Sequence, residues 1–365
     1  MTPSRTSTRD PHAVLDALAR WLHDTEGTIT RPTVESLGGP NGAGLSSDTL
    51  LIDIALDHGS GPEQRAAVLR MPPPDDAFPI FPTYDLSLQV EVMQLVGANS
   101  TAPIPTIRWA DPTGAAIGVP FFVMDRIDGL VAPDLMPYTW GSWVTELDDA
   151  AHESMTVQAV DALAAIHSVA PTTSLMDEER SSAPGTTSLD RHLARLRHHY
   201  EWARRDREFP TIERAFALLG ARVPAMERPD VIVWGDARIG NMLWHDKSLV
   251  AVLDWEMTTI GPRELDVAWM TYFASTFQRS AEVRGHRGTP MLLRADAVVS
   301  LYERASGVEL HSFDWFLALT GLHQSIIGIR TSDRSIAFDG WPEPESPEAI
   351  IHSIPTLVEL LDALT

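Results

Sequence analysis

The chain has 365 residues, of which 44% are apolar and 21% are charged. That content can bury a large core and exceeds what one simple domain needs, so we expect two lobes. The absence of cysteine excludes disulfides, thiolate metal sites and cysteine nucleophiles, which suits a reducing cytoplasm. The formal net charge of −22 predicts a surface that repels nucleic acid and anionic lipid, although an acidic cleft could steer a cationic substrate.

The N-terminal residues do not have the pattern of a signal peptide. Met1–Asp10 are polar, and the apolar residues that follow have helical spacing, as in Val14, Leu18, Trp21 and Leu22. This spacing predicts an amphipathic helix. No stretch approaches the roughly 18 consecutive apolar residues of a membrane span. We therefore expect a cytoplasmic protein that binds neither a membrane nor nucleic acid.

The first third of the chain has the pattern of a β-rich unit that contains one helix. Short runs of alternating or β-branched residues, separated by Gly- and Pro-bearing turns, predict strands at 33–37, 48–56, 64–71, 106–110 and 119–127. Between the third and fourth strands, apolar residues recur at helical spacing from Leu86 to Val96. The order of elements is therefore three strands, a helix and two strands.

After Gly129 the pattern changes to long helices. Helical periodicity covers 155–169, 189–204, 212–223, 264–273, 291–303, 315–329 and 350–361. One compact group of strands interrupts these helices, at 231–234, 242–245 and 249–253. We predict an α+β, protein-kinase-like fold with two lobes. Residues 1–126 form an N-terminal lobe with a leading helix, an antiparallel sheet and one further helix, and residues 127–365 form a mostly helical C-terminal lobe.

The most informative segment is residues 231–270, VIVWGDARIGNMLWHDKSLVAVLDWEMTTIGPRELDVAWM. Asp236 opens a loop that reaches Asn241, and the strand pair after it ends at Asp254. Phosphoryl transfer requires one carboxylate to orient the attacking hydroxyl and accept its proton, and an Asn and an Asp to hold Mg²⁺ on the phosphates. Strand ends fix such groups within the tolerance that in-line transfer demands. The alternative is that Asp236 and Asn241 are turn residues and Asp254 caps a helix.

This segment resembles the signature of the aminoglycoside and choline kinase-like phosphotransferase family, H-G-D-x-x-x-x-N followed by a strand that ends in D-W-E. The string LDWEMTTIGPRELD is especially similar to the branch of that family found fused to acyl-CoA dehydrogenases. In the first lobe, the glycine-rich run at 42–49, the strand at 64–72 and GVPFFVMDRIDG at 118–129 are also similar to that branch. The resemblance extends from residue 33 to residue 270.

The resemblance implies a role for each matched residue. Asp236 is the catalytic base, Asn241 and Asp254 bind Mg²⁺, and Asp266 is structural and ties the catalytic loop to the following helix. Backbone N–H groups of the glycine-rich loop, with Ser46, cap the phosphates of the nucleotide, and backbone groups near 125–127 meet the purine edge. The implied nucleotide-binding residues are Gly42, Gly44, Ser46, Ser47, Arg70, Gln89, Asp125 and Ile127.

Four positions depart from the family pattern. Trp234 stands where the family has His, Arg70 where it has the strand Lys, Gln89 where it has the helix Glu, and Ser47 where it has the loop Asn. Arginine binds phosphate oxygens bidentately but is longer and planar, so the phosphate geometry must differ. These departures leave open a pseudokinase that binds nucleotide with weak or no catalysis.

The function that the resemblance implies is transfer of the γ-phosphoryl group of Mg-ATP or Mg-GTP to the hydroxyl of a small molecule. The acceptor is either an antibiotic or a metabolite such as a hydroxyacyl thioester, a choline-like amine or a sugar, because the fold does not decide the substrate. A metal-dependent hydrolase that uses Asp236, Asp254 and a histidine is disfavoured, since no histidine lies at metal-ligand spacing.

Two further polar residues have competing interpretations. His167 ends a helical pattern, and we expect it to pack or cap rather than to bind a ligand. Arg238 lies inside the Asp236–Asn241 loop. It either meets an anionic group of the substrate or bridges to a neighbouring carboxylate.

Overall fold

The computed structural model describes residues 9–26, 33–36, 48–57, 59, 61–74, 77–134 and 137–365. Backbone contacts divide the chain into two units, the first made of Met1–Gln94 and Pro105–Asp128, the second of Leu95–Ile104 and Gly129–Thr365. The second unit thus begins close to the boundary predicted after residue 126. It also takes in Leu95–Ile104, which the sequence pattern places in the first lobe.

The first unit contains a five-stranded antiparallel sheet, as predicted. Its strands are β1 (Thr33–Ser36), β2 (Asp48–Asp57), β3 (Pro62–Met71), β4 (Ile107–Asp111) and β5 (Phe121–Asp125). They lie in the order β1-β2-β3-β5-β4, and every neighbouring pair is antiparallel. The alternation that predicts β2 is seen in its burial, because Ile52, Ile54 and Leu56 are buried and the residues between them are half-buried.

Two helices accompany this sheet in the part of the first unit that the structure describes. Helix α1 (Pro11–Glu26) is the amphipathic helix predicted at the N-terminus, and its apolar face, which includes Leu18 and Leu22, joins the same core as the sheet. The rings of Trp21 and Phe121 meet edge to face at 5.2 Å. Helix α2 (Leu86–Asn99) follows β3, as predicted.

Eight helices build most of the described part of the second unit. They are α3 (Asp149–His167), α4 (Thr173–Ser182), α5 (Ser188–Arg204), α6 (Pro210–Ala221), α7 (Glu264–Val283), α8 (Ala295–Ser306), α9 (Phe313–Phe338) and α10 (Ile354–Ala363). Helix α4 is not predicted by periodicity, because only Leu175 and Glu179 of its residues are buried. No helix in the described ranges is both long enough and apolar enough to cross a bilayer.

The predicted single group of strands is in fact two small sheets. Strands β6 (Leu130–Val131), β8 (Met242–His245) and β9 (Ser248–Val252) form one, and β7 (Val231–Val233) pairs with β10 (Thr259–Gly261) in the other. The loop after β7 separates it from β8, so β7 takes a partner further along the chain. Strand β10 has only three residues and ends in Gly261, so it is too short to show a period-two pattern in the sequence.

Candidate active site

The candidate catalytic loop begins where the buried strand β7 ends. Val231–Val233 are buried, Gly235 turns the chain with φ = 94°, and Asp236 follows with 8% of its surface exposed. The Arg238 N–H donates to the Asp236 carbonyl over 2.9 Å, and the Asn241 N–H donates to the Arg238 carbonyl over 3.0 Å. These bonds close a tight loop that ends in a 3₁₀ turn at Ile239–Asn241. Asp236 and Asn241 are therefore held on one rigid segment.

The Asp236 carboxylate accepts hydrogen bonds on both oxygens. Oδ1 accepts from the Trp269 indole Nε1 at 2.7 Å, and Oδ2 accepts from Asn241 Nδ2 at 2.6 Å. Arg238 Nε lies 2.9 Å from each oxygen. Burial raises the pKa of Asp236 above its ordinary value, Arg238 opposes that rise, and the charge of Asp254 adds to it. A buried carboxylate with a raised pKa is suited to accept a proton.

Asn241 and Asp254 place oxygen atoms that can bind a metal ion beside this carboxylate. Because Asn241 Nδ2 is used towards Asp236, the Oδ1 atom of the same amide is directed away from it. The Leu253 N–H donates to the Asn241 carbonyl over 2.8 Å, so the segment that carries Asp254 is joined directly to the loop. The structure thus brings the three predicted residues together in the second unit.

The donor set of Asn241 and Asp254 fits Mg²⁺. An amide oxygen and a carboxylate are hard donors, and Mg²⁺ usually takes one or two carboxylates and completes its shell with water and substrate phosphates. In the described ranges, no three His, Asp or Glu side chains are placed to hold a metal by themselves.

Arg238 bridges two carboxylates. Its Nε contacts Asp236, its Nη1 donates to Asp134 Oδ2, and its guanidinium carbon lies 5.7 Å from the centroid of the Phe273 ring. Of the two interpretations that the sequence leaves open, the structure therefore shows the bridge. The guanidinium offsets the cost of burying the Asp236 charge.

Asp266 anchors the start of the loop to α7. Its buried carboxylate accepts from the Trp234 N–H at 2.6 Å and the Gly235 N–H at 2.8 Å, and His167 Nε2 lies 2.9 Å from it. His167 Nδ1 is 2.7 Å from the Tyr302 hydroxyl, so both ring nitrogens are engaged inside the protein. Both observations agree with the structural roles expected for Asp266 and His167.

Sequence reasoning missed Trp269 as a member of the site. It lies in the apolar run LDVAWM, where helical spacing predicts only core packing. The one available signal is chemical, because a buried indole N–H needs an acceptor. In the structure that acceptor is Asp236, 33 positions away along the chain.

The predicted nucleotide-binding residues belong to the first unit or lie outside the described residues. Gly42, Gly44, Ser46 and Ser47 lie outside them. Arg70 is half-buried on β3 and Gln89 is 3% exposed on α2.

The two residues expected at the purine edge, Asp125 and Ile127, differ in their surroundings. The Asp125 N–H donates to the Thr106 carbonyl, and its carboxylate accepts from Arg108 at 2.6 Å, so both of these groups are used inside the first unit. Ile127 is 37% exposed.

Gly235 cannot carry a side chain without displacing backbone. A Cβ there would lie 2.2 Å from the Met257 carbonyl oxygen, and its φ of 94° is a region that L-residues rarely adopt. Gly235→Ala should therefore lower the free energy of unfolding by about 2–6 kcal/mol, since strain and overpacking each cost about 1–3 kcal/mol. Urea denaturation measures this. Gly220→Ala, on α6 with open space around it, should be neutral or slightly stabilising, and equal midpoints for the two variants would contradict the prediction.

Three closely packed imidazoles lie beside Trp269. The His323 ring centroid is 5.1 Å from that of Trp269, 6.0 Å from His192 and 6.4 Å from His199. Burial, with a smaller contribution from Arg195, lowers the pKa of His192 to about 3. Burial also lowers the pKa of His323 well below its ordinary value, and the two other histidines and Arg195 add to that effect. His192 and His323 therefore stay neutral near pH 7.

Acidification below pH 6.5 should destabilise the protein because of these rings. The unfolded chain takes up protons on His192 and His323 near the ordinary pKa of about 6.5, whereas the folded protein does so only at much lower pH. The contribution of these two neutral histidines to the free energy of unfolding is therefore fully present above about pH 6.5. Below that pH it falls by about 1.4 kcal/mol per pH unit for each histidine. Urea denaturation at pH 7.5 and pH 5.5 measures the loss.

Two variants test whether the buried histidines cause this loss of stability. His192→Gln should lose less stability between the two pH values than the wild type. His245→Gln, at a side chain that is 61% exposed, should lose as much as the wild type. The prediction is wrong if His192→Gln is as sensitive to acid as His245→Gln.

The chain is similar in sequence to acyl-CoA dehydrogenase family members of two mammals. Human acyl-CoA dehydrogenase family member 11 is 25% identical over 296 residues, which cover 76% of this chain and 36% of the human protein. Mouse family member 10 is 27% identical over 267 residues, which cover 72% of this chain and 23% of the mouse protein. The chain therefore spans well under half of either relative's length. The predicted similarity to this branch is confirmed.

Solved structures show the same fold. A Ralstonia eutropha JMP134 protein named for the aminoglycoside phosphotransferases superposes with a TM-score of 0.65 at 17% identity, over 96% of this chain and 97% of that one. ADP-bound aminoglycoside phosphotransferase APH(2'')-Ib has a TM-score of 0.52 at 13% identity, over 96% and 99%. The fold is therefore protein-kinase-like, as predicted. Residues 42–297, more than half of the chain, match the family model of the APH phosphotransferase enzyme family. The chain belongs to that family.

Proposed function

We propose that this protein is a small-molecule kinase that transfers the γ-phosphoryl group of Mg-ATP or Mg-GTP to a substrate hydroxyl. The observation that carries the proposal is the arrangement of Asp236, which accepts a hydrogen bond from Asn241, with Asp254 joined to the same loop through Leu253. Phosphoryl transfer needs little covalent chemistry from the protein, so a positioned base and two metal ligands form most of the required set.

Each residue then has a defined part in the reaction. Asp236 orients the acceptor hydroxyl and takes its proton as the oxygen attacks the γ-phosphorus and the bond to the bridging β–γ oxygen breaks, which releases the nucleoside diphosphate. Asn241 and Asp254 would hold Mg²⁺, which supplies neutralisation of phosphate charge when bound. Trp269 and Arg238 hold the base in one orientation.

We assign the nucleotide-binding residues to the first unit. APH(2'')-Ib, a structural neighbour, was solved with ADP, which supports a nucleotide co-substrate here. Gly42, Gly44, Ser46 and Ser47 would cap the phosphates, and Gln89 and the backbone at 125–127 would complete the nucleotide site.

Arg70→Ala should test the assigned phosphate contact. A hydrogen bond to a charged group contributes about 1.5–3 kcal/mol, so the variant should bind Mg·AMP-PNP about 10- to 100-fold more weakly. Isothermal titration measures the affinity. An unchanged affinity would show that another cation binds the phosphates.

One feature of the second unit favours a metabolite acceptor with an apolar body over a polycationic antibiotic. From the Trp269 indole at the Asp236 carboxylate, aromatic rings continue along one face of α7, with Phe273 at 5.2 Å from Trp269 and Phe277 at 5.8 Å from Phe273. Tyr138 adds a further ring 5.4 Å from Phe277.

The aromatic face of α7 carries no carboxylate of its own. Helix α7 has no acidic residue between Asp266 and Glu282, although the chain as a whole carries a net charge of −22. Asp134 is paired with Arg238, and the guanidinium of Arg238 lies beside the Phe273 ring of this face. A hydroxyacyl compound is therefore the acceptor class we favour, and this agrees with the acyl-CoA dehydrogenase relatives. An aminoglycoside would need carboxylates for its ammonium groups.

A thermal-shift screen tests the proposal and separates the acceptor classes. A ligand held at about 100 times its Kd stabilises a protein by about 2.7 kcal/mol. Mg·AMP-PNP and Mg·GMP-PNP should raise the melting temperature, and hydroxyacyl compounds should add a further shift that grows with chain length. Shifts with aminoglycosides alone would reverse the acceptor choice. The absence of any shift with nucleotide would count against the kinase, whereas a nucleotide shift without turnover would favour a pseudokinase.

A further inference from the structure

Trp234 is held by hydrogen bonds through both its backbone and its side chain. Its backbone N–H donates to Asp266 Oδ2 over 2.6 Å, which ties it to α7. Its side chain is fully buried, and its indole Nε1 donates to the carbonyl oxygens of Leu253 at 2.9 Å and Asp254 at 3.2 Å. The family pattern has a histidine at this position, and here an indole N–H contacts the backbone that follows strand β9.

The two carbonyls that Trp234 contacts belong to the two peptide groups on either side of the Asp254 Cα. The orientation of those peptide groups determines the backbone dihedrals of Asp254. Asp254 has φ = 58°, in the left-handed region, which costs of order 1–3 kcal/mol for a residue other than glycine and persists only where the surroundings hold it. One indole N–H therefore bonds to both peptide groups that define this conformation.

We propose that Trp234 is a positioning residue for the Asp254 carboxylate: it holds the left-handed backbone that aims this side chain at the metal of a bound Mg-nucleotide. The inference rests on the proposed function, because Asp254 acts as a metal ligand only in a protein that binds Mg-nucleotide. It assigns to the tryptophan, in place of the family's histidine, the support of the metal ligand.

Two variants separate the indole N–H from the indole volume. Trp234→Phe keeps a buried aromatic ring and removes the donor, and Trp234→His restores a ring N–H. Residues that orient metal ligands typically contribute about 10- to 100-fold to metal affinity. We expect Trp234→Phe to raise the Kd of AMP-PNP about tenfold in Mg²⁺ and to leave the Kd in EDTA unchanged. Trp234→His should recover part of the Mg²⁺-dependent affinity. Isothermal titration measures the Kd of AMP-PNP for the wild type and both variants, in Mg²⁺ and in EDTA, without relying on turnover.

Trp315→Phe is the matched control. It also removes a buried indole N–H that bonds to a backbone carbonyl, that of Leu219 at 3.3 Å, but it lies in the helical core. Its Mg²⁺ dependence should equal that of the wild type. The proposal is overturned if Trp234→Phe binds Mg·AMP-PNP as the wild type does, or if it loses affinity equally in Mg²⁺ and in EDTA, since the second result indicates a purely structural role.

A measurement on the wild type covers the case in which Trp234→Phe does not fold. In protein labelled with 5-fluorotryptophan, the Trp234 resonance, assigned with the Trp234→His variant, should shift when Mg²⁺ is added to the AMP-PNP complex, and the Trp315 resonance should not. An unmoved Trp234 resonance would overturn the proposal. A wild type that does not bind Mg·AMP-PNP at all would instead refute the proposed function, so the two failures are distinguishable.

Discussion

Asp236→Asn is expected to lower turnover by about 10²–10⁴-fold, which is the typical contribution of a general base. The affinity for Mg·AMP-PNP should be unchanged, because the base acts on the acceptor hydroxyl in the transition state and not on the nucleotide. Asparagine keeps the shape of the side chain and can still accept the Trp269 N–H, but it cannot take up the proton. Its amide NH2 replaces the oxygen that accepts from Asn241, which keeps its hydrogen bond to the Asp236 backbone carbonyl. Initial rates of transfer and isothermal titration give the two quantities.

Asp246→Asn is the control for this charge change. Its side chain is 95% exposed on the hairpin between β8 and β9, so turnover should equal that of the wild type. Loss of nucleotide binding in Asp236→Asn, with turnover per bound nucleotide retained, would show that Asp236 binds metal and is not the base.

Asp254→Ala should abolish both nucleotide binding in Mg²⁺ and turnover. Metal and phosphate are bound as one unit in this chemistry. Loss of a residue that only orients a ligand costs about 10- to 100-fold in metal affinity, so loss of the ligand itself should cost at least about 100-fold. Titration of AMP-PNP in Mg²⁺ and in EDTA should give nearly equal, weak affinities for this variant.

Asp246→Ala is the matched control for Asp254→Ala. Asp246 also has a positive φ, of 46°, and is also an acid, so its replacement by Ala controls for the strain of alanine in this backbone region. It should bind Mg·AMP-PNP as the wild type does. If Asp254→Ala retained Mg²⁺-dependent binding, the metal would have to be held by other residues.

The parts of the structure that sequence reasoning predicted are those fixed by local pattern. The alternation in residues 48–56 specifies β2, and helical spacing specifies α1 and α2, because each pattern involves residues close together in the chain. The same holds for Asp236 and Asn241, which lie on one tight loop. Their roles came from the family resemblance and remain a prediction.

The parts that could not be predicted depend on contacts between distant residues. The Trp269 indole that orients Asp236 looks like a core residue in the sequence, and the Arg238–Asp134 pair joins positions 104 apart. The pairing of β7 with β10 is similar, since three residues that end in glycine show no periodicity. Trp234 looks like the loss of a functional histidine until its indole N–H is seen to contact the two peptide groups around Asp254.

The measurement that tests the central claim most directly is the transfer of γ-labelled phosphate from Mg-ATP or Mg-GTP, with and without acceptors from the thermal-shift screen. The wild type should place the label on the hydroxyl of an acceptor and release little free phosphate without one, and Asp236→Asn should place almost none. Nucleotide binding without transfer to any acceptor that shifts the melting temperature would indicate a pseudokinase. Transfer that is equal in the wild type and in Asp236→Asn would contradict the account of this site.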